Sequence, residues 1–227
     1  MPRELLNPLH DYSQLNLEKN IKPLTSQQAI EDINYATGIA KSAKESPLVG
    51  GPFGLMWGVL LSTTLCSHWA IVTGQIAAQA PALGYLWVAF AILGGVGSAI
   101  LGSRVKKKPG IHSTANKVEQ SVWIMFSIML GCLWIGVTSS MIFGSGTVAL
   151  FDFIPIVGFG GQGLAYGVTA RTSHYKWMYY PAAASFAASI ACLTVFGESH
   201  FYLIAAIFAF ITVVLPSVKT MRAEYVA

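Results

Sequence analysis

From residue 53 onward the chain alternates long apolar runs with short polar interruptions. The runs cover approximately residues 53–74, 83–103, 120–142, 147–169, 177–196 and 200–217. Each is close to the ~20 residues that an α-helix needs to cross a hydrocarbon core of ~30 Å. The pattern predicts an all-α fold, a bundle of six transmembrane helices spanning 53–217, with a tail at 218–227. The first apolar run starts too far from residue 1 to be the core of a cleaved signal peptide, so it is expected to remain as the first span.

Upstream of the runs the periodicity changes. Residues 25–46 read as a separate amphipathic helix. Thr25 and Gln28 have the spacing of a capping box, Glu31 and Asp32 fall in the early turns, and Lys41 and Lys44 near the end, the order that suits a helix dipole. Ile30, Ile33, Ala36 (or Thr37), Ala40 and Ala43 form a narrow apolar stripe. The stripe is too thin for burial in a membrane surface and fits packing against the ends of the spans or against a partner. Pro47 and Gly50-Gly51-Pro52 then stop the helix. Residues 1–24, with Pro2, Pro8 and Pro23, read as an irregular arm.

Charge gives the runs a direction. All 14 Lys and Arg fall in the residues before the first run, in the connections after the second and fourth, or in the tail. The connections after runs one, three and five contain none. The side with the basic residues is the cytoplasmic one, so six crossings put both termini in the cytoplasm. Five or seven crossings would split the charge. Trp57, Trp123 and Trp177 sit near the cytoplasmic starts of odd-numbered runs and Trp69, Trp87 and Trp134 toward the outer half, the belts that Trp favours. The run Arg104, Lys106, Lys107 and Lys108 is placed to meet anionic lipid headgroups at about 1 kcal/mol per charge.

Composition agrees. The chain is 54% apolar and only 11% charged, less than half the usual share of charge in soluble domains, and its mean hydropathy is +0.56. The net charge of +4 is accounted for by orientation, and no nucleic-acid-binding motif accompanies it. Cys66, Cys132 and Cys192 all lie inside apolar runs without metal-ligand spacing, so neither a disulfide framework nor a metal centre is expected.

A shift of 66 residues brings Trp57 onto Trp123, Cys66 onto Cys132, and Gly94-Gly95-x-Gly97 onto Gly160-Gly161-x-Gly163. That is the signature of a repeated helical hairpin or of compositional coincidence. The glycines have a simpler use. Gly94 and Gly97 in run two, and Gly158, Gly160, Gly161 and Gly163 in run four, let helices approach closely. A dinucleotide-binding loop would need a strand and a βαβ unit around them.

Three polar residues inside the runs are candidates for a proton, ion or substrate path. Asp152 is the one acid well inside a run, and an intramembrane acid marks a functional site by default. His68 lies at a similar depth, so the two could pair if spans one and four touch, and a His–carboxylate pair could carry protons. Gln162 lies near the midplane, where it can bond across a helix contact or touch a solute. Glu198 and His200 are two ligands at most, too few for a metal site, and a haem held by two histidines would need a second His inside a run. No cofactor is implied.

Thr25-Ser26-Gln27-Gln28-Ala29-Ile30-Glu31-Asp32-Ile33, then Pro47-Leu48-Val49-Gly50-Gly51, then His68-Trp69, resembles small polytopic inner-membrane proteins of proteobacteria. The resemblance covers roughly the first third of the chain. It implies a short cytoplasmic helix followed by several spans in the inner membrane, and brings no activity with it.

Three functional classes remain. A non-enzymatic accessory subunit or regulatory partner of a membrane complex, or a homo-oligomer, fits the absence of catalytic motifs and the helix at 25–46. A small transporter or channel using Asp152 and Gln162 fits the intramembrane polar groups, although its path would have few of them. An intramembrane enzyme would need a nucleophile with its base or a metal cluster, and the sequence implies no such arrangement; no catalytic residue is assigned.

Overall fold

The computed structural model of the chain describes residues 25–45, 48–79, 81–108 and 110–226. The arm at 1–24 and residues 46, 47, 80, 109 and 227 lie outside them. The described residues form helices and turns, with no strand among them. By contacts the chain divides into Met1–Ser42 and Ala43–Ala227.

Helix α1 (Ser26–Glu45) belongs mostly to the first unit. Its start carries the reciprocal cap: the Gln28 N–H donates to Thr25 Oγ1 at 3.4 Å and the Thr25 N–H to Gln28 Oε1 at 3.3 Å. Ile30 and Ile33 are exposed.

In the second unit, α2 (Gly51–Val72), α3 (Pro81–Val105) and α4 (Thr114–Phe143) are followed by a 3-10 turn (Val148–Asp152) that leads into α5 (Phe153–Thr172). A second 3-10 turn (Lys176–Met178) opens α6 (Tyr179–Thr194). The last helix is continuous but built in three parts: α7 (Phe201–Ala209), a π-helical turn (Phe210–Val214) and α8 (Leu215–Val226). Five helices are long and apolar enough to cross a membrane: Gly51–Val72, Pro81–Val105, Thr114–Phe143, Val148–Thr172 and Phe201–Ala223. This is a multi-pass pattern. At 16 residues, α6 is about 24 Å long and falls short of that length.

The boundaries differ from the hydropathy pattern in three places, each for a local reason. Helix α4 begins at Thr114 because Ser113 caps it, its Oγ accepting the Asn116 N–H at 3.3 Å; Lys117 is therefore in a helix and not in a loop. The fourth run opens with a 3-10 turn ahead of Pro155, whose ring fits the first turn of a helix but not its interior. The tail from 218 is helical, because α8 runs on past the last apolar residues to Val226.

Helices α2 and α3 run antiparallel, and so do α4 and α5. A Cβ added to Gly94 would collide with the Trp57 ring and one on Gly97 with the Met56 sulfur, so α3 lies directly on α2. The Trp57 indole N–H also donates to Ser98 Oγ at 3.0 Å. Gly161 admits Phe126 and Met129 of α4, and Gly163 admits Phe186 of α6; Gly158 and Gly160 make ordinary contacts with Leu130 and Ser189. Helix α2 and the last helix pair likewise, with Gly51 and Gly54 against Ser217 and Gly58 against Val213 and Val214. The two hairpins share a topology but not their contacts. Trp57 covers Gly94, whereas Trp123 lies edge-on to Tyr166 and Phe126.

One end of this unit gathers the basic residues. Lys176 Nζ donates to the Ala170 carbonyl at 2.8 Å, closing the C-terminus of α5, and Lys219 Nζ lies 4.3 Å from the Trp177 ring centroid. At the same end α4 holds the entrance to α2. Asn116 Oδ1 accepts the Val49 N–H at 3.0 Å, while its Nδ2 donates to the Gly110 carbonyl and to Ser113 Oγ, each at 3.0 Å. One turn on, the Glu119 carboxyl receives the Gly50 N–H at the start of α2, where the helix dipole favours an acceptor. A Cβ on Gly50 would stand only 2.9 Å from Glu119 Oε1, so any larger residue here would push the carboxyl aside. Leu48, Ala115, Tyr166, Ala170, Met178 and Ala182 close over it as an apolar cluster.

Asn116→Leu would leave the Val49 N–H and the Gly110 carbonyl without their partner. The loss should be about 1–3 kcal/mol of stability, read as a lower thermal midpoint in mild detergent. Ser127→Ala, on the exposed face of the same helix, should change the midpoint little; equal midpoints for the two variants would contradict the role given to Asn116.

Candidate functional site at the outer end and midplane

The end opposite the basic residues holds the starts of α3, α5 and α7. There the structure joins His68 and Asp152 through an intermediary, Tyr202. The Tyr202 hydroxyl donates to Asp152 Oδ1. The His68 imidazole stacks on the Tyr202 ring, with centroids 3.6 Å apart and planes at 16°. On its other side the Trp87 indole N–H donates to His68 Nδ1 at 3.1 Å. A nitrogen that accepts from an indole carries no proton, so this bond selects the neutral tautomer with hydrogen on Nε2. His68 is buried, and Asp152 and Tyr202 are half-buried. Three helices and a turn contribute: α2 gives His68, α3 Trp87, α7 Tyr202, and the 3-10 turn before α5 gives Asp152. The cluster Trp87–His68–Tyr202–Asp152 brings together an imidazole, a phenol and a carboxyl, groups that can bond a polar ligand; its His68–Tyr202 link is a ring stack, not a hydrogen bond.

Gln162 is placed elsewhere, and its environment follows from a proline. A proline inside a helix has no N–H for the carbonyl four residues back and crowds it. Pro216 therefore deprives the carbonyl of Thr212 of its normal donor. The helix responds with the π-turn, in which the Leu215 N–H reaches back five residues to the Phe210 carbonyl. Gln162 supplies the missing donor: its Nε2 bonds the Thr212 carbonyl at 3.2 Å and Thr212 Oγ1 at 2.9 Å. Thr212 Oγ1 in turn donates to the Phe208 carbonyl at 2.7 Å. Both residues are buried. Gln162 is thus engaged with the last helix.

Between the outer cluster and this clamp lies an apolar core of Leu65, Ile156, Phe159, Ala188, Cys192 and Phe201. Cys66 and Cys132 are exposed and Cys192 is buried, all as free thiols. Glu198 and His200 are exposed, and no group of three metal-ligating side chains exists among the described residues. Arg104, Lys106 and Lys107 are exposed at the basic end, with Lys108 half-buried beside them.

Tyr202, Trp87, Thr212, Asn116 and Glu119 are absent from the candidates that the sequence offers. Aromatic residues in a span read as packing until a neighbour is known, and Asn116 and Glu119 sit just before the third apolar run, where polar residues are unremarkable. Pro216 was the one usable signal. Counting back four residues from it marks Thr212 as a carbonyl needing a donor.

The outer contact lends itself to a double-mutant cycle. Tyr202→Phe and Asp152→Asn should each lower stability, and combined they should cost less than their sum, with a coupling energy of about 0.5–3 kcal/mol. Strict additivity in thermal unfolding would show that the two groups do not interact. Comparison with protein-family models, with curated proteins and with solved structures gave no match.

Proposed function

We propose that this chain is a non-enzymatic integral membrane protein that serves as an accessory subunit or regulatory partner of a membrane complex. The observation that carries the reading is the contrast between its interior and its flanks. Inside, Gln162, Asp152 and His68 are bonded to Thr212, Tyr202 and Trp87, so the polar groups that a solute path would use act as internal ties. On the flanks, α3 and α4 bury only 6% of their apolar windows, against 33% for the helix at Val148–Thr172 and 50% for the last one. Each lies against essentially one neighbour. Their outward faces include Gly84, Gly95, Gly131 and Gly136, with nothing within 4 Å of where a Cβ would be. Small residues on unoccupied helix faces suit close approach by other helices.

The membrane arrangement that goes with this reading has six crossings. Support for counting α6 comes from its two ends. Trp177 meets Lys219 at the basic end, and Phe196 meets Phe153, with ring centroids 4.9 Å apart, at the Asp152 end. With α6 and its flanking turns as a crossing, the basic residues stay on one side, both termini are cytoplasmic, and the bacterial inner membrane is the site. The 66-residue correspondence is then a duplicated hairpin whose copies diverged in contacts.

A second reading, proton or small-solute transport, is favoured by one observation: His68 and Asp152 share Tyr202.

Extraction from the source membrane in mild detergent, followed by native mass and identification of what co-purifies, separates the two. The subunit reading expects a stoichiometric protein partner that is lost when residues 25–45 are deleted and retained in Asp152→Asn. A lone monomer or homo-oligomer whose flux is abolished by Asp152→Asn would transfer the assignment to transport.

A further inference from the structure

We infer that the last span is a two-position hinge, with the π-turn as its joint and Gln162 as its clamp. The joint separates two halves with different attachments. The outer half, Phe201–Ala209, carries Tyr202, which reaches Asp152 and His68. The inner half, Leu215–Val226, carries Ser217 and Met221 against the start of α2 and Lys219 over Trp177. A π-turn holds one residue more than an α-turn. Drawing that residue into regular α geometry, or moving the turn along the helix, shifts the outer half by one residue against the inner half. One residue is about 1.5 Å of rise and about 100° of rotation. Such a step takes the Tyr202 side chain away from His68 and Asp152 without disturbing the contacts of Lys219.

Two features make the present position a selected one. Pro216 forbids the bond that would make the helix uniform at this point, and the Gln162 side chain holds Thr212 by both its carbonyl and its hydroxyl. With the inner half anchored on α2 and α6, the state of the outer cluster and the position of the joint are linked. Releasing Tyr202 favours a shifted joint, and releasing Gln162 favours a released Tyr202. The hinge connects the outer end of the protein to its midplane whatever the bundle's function.

Cysteine cross-linking reads the rotation directly. Cys66 of α2 and Ile207 of α7 line one groove, whereas Phe208 packs against the core cluster. In membranes, in a Cys132→Ala background, Ile207→Cys should cross-link to Cys66 at least several-fold more than Phe208→Cys. Adding Gln162→Leu should shift yield from position 207 toward 208 by a factor of three or more. Pro216→Ala, which restores the backbone donor and introduces the best helix former, should do the same. An unchanged preference for 207 in both backgrounds would overturn the inference and leave the π-turn as a static accommodation of Pro216.

Discussion

In a hydrocarbon environment a backbone carbonyl without a donor costs several kcal/mol, and no water is there to supply one. That constraint explains why the chain is helical through most of its apolar runs and why its few polar side chains within them are placed as they are. Hydroxyls in the helices mostly bond the carbonyl one turn back, as Thr169 does to Ala165 and Ser185 to Pro181. Where a proline removes a donor, a side chain from another helix replaces it, as Gln162 does for Thr212. The same economy holds at the helix ends, where Lys176 closes α5 and Glu119 faces the start of α2.

Packing then follows from which helices can approach. Without a hydrophobic driving force between helices in lipid, close contact depends on small residues and on interhelical bonds. Trp57 fills the space that Gly94 leaves and Phe186 the space at Gly163. Helices α2, α5, α6 and the last span form the interior, with α3 and α4 outside it. The cluster opposite the basic end ties α2, α3 and α7 through aromatic rings and the turn before α5 through the Tyr202–Asp152 hydrogen bond, and the Asn116–Val49 bond ties α4 to the start of α2 at the other end.

Much of this was legible in the chain itself. Run length and the one-sided distribution of Lys and Arg indicate a multi-pass helical protein, and the cap at Thr25 and Gln28 marks the start of α1 to within a residue. What could not be read is adjacency. His68 and Asp152 have similar depths, but nothing in one-dimensional spacing places Tyr202 between them. Glu119 looks like an interfacial charge until Gly50 is seen against it. The shortness of α6 was hidden because its apolar run includes a 3-10 turn before the helix and turn residues after it, both apolar but not α-helical. Hydropathy records composition and is blind to rise per residue.

The proposed arrangement has an even number of crossings with one basic side. Its most direct test is site-by-site labelling of single cysteines, in a cysteine-free background, with a membrane-impermeant maleimide on intact cells. The account predicts labelling from outside at Gly74, Gly146 and Glu198, and protection until lysis at Lys107, His174 and Arg222. Labelling of Glu198 and His174 from the same side would contradict it, because α6 would then not cross.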